Sequence, residues 1–171
     1  MAAGGSQQGQ VDFALVAYRE EGRWVVGSLT PRTAADLQSF VHALRQQQSD
    51  GIVLGLISYG DDFFLAVRPY ADSVRVLISD ASAAGEWAVA RQALELAAES
   101  GDGDEPRDDP EDEAEQPAGD LGLFADLGVS AMEVAAICSD LDLYPDEMLA
   151  QIAGQIGFGP QFEQAVDPDE A

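Results

Sequence analysis

The sequence predicts an α+β fold: a five-stranded antiparallel sheet in the order β-β-α-β-β-β-α, followed by a small C-terminal helical segment. Three observations support this reading. Strand-length apolar runs recur between residues 11 and 79, most of them separated only by short turns, and short links force antiparallel pairing. Windows near residues 37–47 and 82–99 carry apolar residues at helical spacing. Residues 121–166 regain helical periodicity after a long acidic interruption.

The elements follow in order. Val11 to Tyr18 alternates Phe13, Leu15 and Ala17 against Ala14, Val16 and Tyr18. Both faces are apolar, as in an interior strand. Glu20-Glu21-Gly22 is a turn, and Arg23 to Leu29 pairs back as a hairpin. Thr30-Pro31, or Thr33 and Asp36, starts a helix whose stripe is Leu37, Phe40, Val41 and Leu44. Asp50-Gly51 turns the chain into Ile52 to Tyr59, again apolar on both faces. Gly60-Asp61-Asp62 turns it back into Phe63 to Arg68, and Val74, Val76 and Ile78 mark a fifth strand. A second helix is expected from about Ser82 to Glu99, with Ala83, Trp87, Ala90, Leu94 and Ala97 on one face. This order is similar to that of profilin-like, longin and roadblock-type domains, a likeness of fold alone.

In the C-terminal segment, Leu121, Leu123, Phe124 and Leu127 predict a short helix. Ser130-Ala131-Met132-Glu133 fits a capping box for a helix to about Ser139. Pro145 suits a first helical position, with Asp146 and Glu147 in the first turn, where acids favour the helix dipole. Met148, Leu149, Ile152 and Ile156 form its apolar stripe. Gly157-Phe158-Gly159-Pro160 then breaks it, before a last short turn around Phe162 and Val166.

The 171 residues carry a net charge of -24, and that charge is unevenly placed. Residues 1–97 hold 11 acids and 7 Arg, residues 98–120 hold 11 acids and Arg107, and residues 121–171 hold 10 acids and no base. The middle run has no large apolar side chain to offset its ordering entropy. The expected organisation is therefore a disordered N-terminus (1–10), a sheet domain (11–99), a disordered acidic linker (100–119), a helical segment (120–167) and a tail (168–171).

Composition excludes several chemistries. There is no lysine, so neither a P-loop nor a pyridoxal Schiff base can be built. Phosphate neutralisation along a nucleic acid needs a basic patch that the chain lacks. The single Cys138 excludes an intramolecular disulfide and a cysteine-cluster zinc site. No apolar run approaches the ~20 residues of a membrane span, and the N-terminus lacks signal-peptide features. A cytoplasmic location is expected.

The residues that could carry chemistry read more simply as structure. His42, at the edge of the first helical stripe, has no catalytic neighbour in sequence. Cys138 lies among small and apolar residues with no base to lower its pKa. Trp24 and Trp87 suit core or sheet-edge positions. Asp140, Asp142, Asp146 and Glu147 are the best acidic cluster. Tyr144 and Pro145, however, fall where a calcium loop needs its third ligand and glycine. The cluster reads as a connector and helix cap, without a metal. Gly51, Gly55 and Gly60 lie in and around a strand and make no dinucleotide fingerprint.

The stretches FALVAYREEGRWVVGSL, GIVLGLISYGDDFFLAVR and GDLGLFADLGVSAMEVAAICSDLDLYPDEMLAQIAGQIGFGPQFEQAV together resemble the actinobacterial tRNA adenosine deaminase-associated protein family. The resemblance omits only the first ten residues and the acidic linker. LDLYPDEMLA and the late GFG are its most specific parts. The family is named for being encoded beside a tRNA adenosine deaminase, so the resemblance implies a role near that enzyme and carries over no catalytic residue. A zinc deaminase needs H-x-E and P-C-x-x-C. His42 is followed by Ala43 and Leu44, and Cys138 stands alone.

The expected function is that of a non-catalytic accessory or regulatory protein. Its partner would be a protein with a basic face, such as a tRNA adenosine deaminase. Asp140, Asp142, Tyr144, Asp146 and Glu147 are the candidate contact residues. No cofactor, direct nucleic-acid contact or membrane contact is expected, and a homodimer is compatible with the fold. The alternative is a general adaptor or signalling module of longin or roadblock type, unrelated to tRNA. An enzyme built on Asp61, Asp62 or the 140–147 acids would lack a base, a nucleophile and a metal set.

Overall fold

The computed structural model describes residues 11–30, 33, 36–47, 52–60, 62–70, 73–100, 117–140 and 142–166. The N-terminal tail, nearly all of the acidic linker, the Pro31 helix start, the Asp50-Gly51 turn, Asp61 and the final tail lie outside those residues. Strands β1 (Phe13–Glu20), β2 (Arg23–Ser28), β3 (Val53–Tyr59), β4 (Phe63–Pro69) and β5 (Val74–Ile78) form where alternation placed them. The β1–β2 hairpin turns through Glu21 (φ 54°) and Gly22 (φ 80°). Two consecutive positive φ values are what a type I′ hairpin turn requires, and glycine takes one of them without steric cost. Helix α1 (Leu37–Arg45) begins at Asp36, whose carboxylate accepts from the Ser39 N–H at 3.0 Å. Asp36 thus caps the described helix, while at the other start the Thr30 hydroxyl accepts from the Thr33 N–H at 3.3 Å.

The sheet runs in the order β2-β1-β3-β4-β5-β6, antiparallel throughout. Among the described residues it has six strands, not five. The sixth, β6 (Ala118–Gly119), pairs with Leu77 and Ile78 at the end of the expected linker. Two residues among Pro, Gly and acids show no alternation that sequence could register. The strand exists because Gly119 takes φ 93° and lies so close that a Cβ would run into the Val76 carbonyl oxygen.

Two further expectations are corrected. The second helix is split into a 3-10 turn (Ala81–Gly85) capped by Asp80 and α2 (Ala88–Ser100). Between them Trp87 is drawn into the core, edge-on to Tyr59 and Phe63, with its indole N–H donating to Asp62 at 3.1 Å. Gly85, a weak helix former, sits at the break. Residues 121–127 form turns and a short 3-10 helix (Ala125–Leu127), ended by Gly128 at φ 113°. Helices α3 (Ala131–Cys138), α4 (Pro145–Ile156) and α5 (Gly159–Val166) follow.

Because side chains alternate across a strand, the sheet builds two cores. Ala14, Val16, Ile57, Phe63, Leu65, Val67 and Val76 pack beneath α1 and α2. Leu15, Ala17, Leu54, Leu56, Phe64, Ala66 and Leu77 face the other way, against Leu123, Phe124, Val134, Leu149, Ile152, Phe158 and Phe162. The C-terminal helices therefore cover the second face of the sheet, giving three layers. Trp24 seals that layer's border against Phe158, with ring centroids 4.9 Å apart. Gln161 of α5 donates to the Trp24 carbonyl on the edge strand β2 at 3.3 Å.

Gly55 sets how closely α1 approaches the sheet. A Cβ there would meet the Phe40 ring and lie 2.7 Å from Leu44 Cδ1. Gly55→Ala must displace both side chains, and an overpacked core costs ~2 kcal/mol. Thermal denaturation of Gly55→Ala and of Gly55→Ala/Phe40→Leu checks this. The smaller side chain should recover part of the loss, so the two effects should be clearly non-additive.

Candidate partner-binding site

A polar seam fastens the C-terminal layer to the sheet. Arg68 and Arg75 are cross-strand partners on β4 and β5, where like charges repel. Each is met by an acid from the C-terminal side. Arg68, only 5% exposed, donates to both oxygens of Asp126 at 2.8 and 2.9 Å and to the Leu123 carbonyl at 2.9 Å. Arg75 donates to Asp120 at 3.2 Å. The Tyr70 ring centroid lies 5.3 Å from the Arg68 guanidinium carbon and 5.5 Å from that of Arg75, within cation–π range. The Arg68 hydrogen bonds hold the Asp126 carboxyl below the usual carboxylate range, and the same bonds raise Arg68.

The outer surface of this layer carries the acidic candidates. Asp140, Asp142 and Glu147 are exposed and Asp146 is half-buried. They do not converge on one point: among the described residues no group of three His, Cys, Asp or Glu side chains could hold a metal ion. Backbone N–H groups fix two of them, Asp140 and Glu147, instead. Asp140 Oδ1 accepts from the Asp142 N–H and Glu147 Oε1 from the Tyr144 N–H, each at 3.0 Å. Glu133 Oε1 accepts from the Ser130 N–H at 2.9 Å, while the Ser130 hydroxyl accepts from the Glu133 N–H, completing the capping box. Tyr144 is 57% exposed.

His42 is exposed and shares a 3.0 Å contact with Gln46. Cys138 is buried, and burial pushes its thiol up to about 12, far from a reactive thiolate. A groove of about 390 Å³ between α1 and α2 is lined by Leu37, Val41, Val74, Gln92 and Glu95 among others. It offers one carboxylate and no nucleophile. Among the described residues no helix is long and apolar enough to cross a membrane.

Sequence reading missed Met132, which is 82% exposed on α3. Its signal was in the helical period: Met132 stands opposite Val134, Ile137 and Cys138, the face that α3 buries. The fold and this surface define a three-layer α+β protein whose outer helical layer is acidic and free of bases.

Residues 12–159 match the family described as Rv3753c-like tRNA adenosine deaminase-associated protein. The chain is also 37% identical over 156 residues to Protein Rv3753c of Mycobacterium tuberculosis (strain ATCC 25618 / H37Rv), covering 91% of this chain and 87% of that protein. It belongs to the Rv3753c-like tRNA adenosine deaminase-associated protein family. No solved structure matches it.

Proposed function

We propose that this protein is a non-catalytic accessory subunit that binds a tRNA adenosine deaminase through its acidic C-terminal layer. The observation that carries the reading is the charge of that layer. Residues 108–171 contain no base. Of the described acids there, only Asp120 and Asp126 are seen paired with arginines of the sheet. Glu133, Asp140, Asp142, Asp146, Glu147 and Glu163 are left to present net negative charge. An enzyme that binds tRNA must itself present a cationic face, and complementary potentials speed and orient such an encounter. The family description supplies the enzyme class. A non-catalytic role fits the chain's residues, since the H-x-E and P-C-x-x-C set of a zinc deaminase is absent.

Co-purification with the deaminase from the same organism tests the proposal. Association at low salt that weakens at moderate salt is the expected result, because exposed charges are screened beyond about 10 Å at 0.1 M salt. No association at either salt concentration would overturn it.

A further inference from the structure

We infer that the recognition surface is the outer face of α3 together with the connector into α4, with Met132 and Tyr144 as apolar anchors inside a fixed acidic frame. Its partner is a cationic protein surface with apolar slots between its basic groups. The inference rests on the proposed function and specifies the surface that performs it.

Three large apolar side chains are exposed among the described residues: Tyr70, Met132 and Tyr144. Tyr70 already lies between Arg68 and Arg75. The other two both belong to the base-free layer. Met132 lies near the start of α3 and Tyr144 beyond its end. The seven helical residues from Met132 to Cys138 rise about 9 Å, well within the footprint of one protein interface. Methionine adapts to irregular partner surfaces, and tyrosine is enriched among residues that dominate binding.

The frame around them is preorganised. Glu133, Asp140 and Glu147 each commit one carboxylate oxygen to a backbone N–H and leave the rest of the charge facing water. Side chains held in this way lose less entropy on association. Nucleic acid and anionic membrane would be repelled, and the acids do not converge as a metal site would require. A protein surface carrying Arg and Lys around apolar slots satisfies both the charge and the anchors.

The test measures deaminase affinity by calorimetry for the full chain and three variants: Met132→Ala, Tyr144→Ala and Asp142→Asn. Both anchor variants should bind about tenfold or more weakly, with an unchanged salt dependence and an unchanged melting temperature. Asp142→Asn should instead flatten the salt dependence. Wild-type affinity in both anchor variants would overturn this inference while leaving the accessory role standing. Failure of the wild-type chain to bind at all would overturn both.

Discussion

A chain ended after Ser100 should fail to give a soluble, folded sheet domain, although among the described residues the removed part contributes only the two-residue β6 to the sheet. On the face they cover, Leu15, Leu54, Leu56, Phe64 and Leu77 are at most 1% exposed. At about 2 kcal/mol for each large side chain, uncovering these five approaches the whole ~5–15 kcal/mol margin of a small protein. Phe13, Trp24 and Val26 border the same surface, and an apolar patch of that extent promotes association. Expression of residues 1–100 should therefore yield aggregate, or oligomers that bind a hydrophobic dye. A soluble monomer with a cooperative melt would show that the C-terminal layer is dispensable for folding. The consequence for partner studies is direct. Deleting the acidic layer dismantles one of the two cores along with the charge, so binding must be dissected with exposed single substitutions.

The strands that needed this cover were legible as such. IVLGLISY and FFLAVR are apolar on both faces, and a strand buried on both faces requires a layer on each side. What sequence did not show was which residues supply the second layer. Its contacts with the sheet span the acidic segment, and no local period encodes a partner that distant. Helix caps at Asp36 and Ser130 were readable because their partners lie three residues away. Arg68 showed no such signal, because its partner Asp126 is 58 positions on. A lone arginine closing an otherwise apolar strand was the only hint. The acidic candidates were legible as exposed caps and connectors, while Met132 was read for its place in a capping box and not for its outward face.

Arg68 and Asp126 also yield an asymmetric prediction. Arg68 is buried, whereas the Asp126 side chain is 62% exposed. Burial alone would make Arg68 the more sensitive site. The reverse is expected. Asp126→Ala leaves a guanidinium under the helical layer without its anion, and stranding a buried charge costs ~3 kcal/mol. Arg68→Leu removes that charge, lets Asp126 hydrate freely, and strands only the Leu123 carbonyl, at ~1–2 kcal/mol. For a chain of this length the difference should separate the two melting temperatures by several degrees. The double variant should melt close to Arg68→Leu, because Asp126 has no buried charge left to neutralise. The pH dependence carries the same logic. The folded carboxyl titrates below its unfolded value, so the pair's contribution is complete above the ordinary aspartate range near pH ~4. It is lost as pH falls through the folded value, and Asp126→Asn should be less acid-sensitive than wild type. Equal melting temperatures for Asp126→Ala and wild type would mean that the seam does not hold the C-terminal layer.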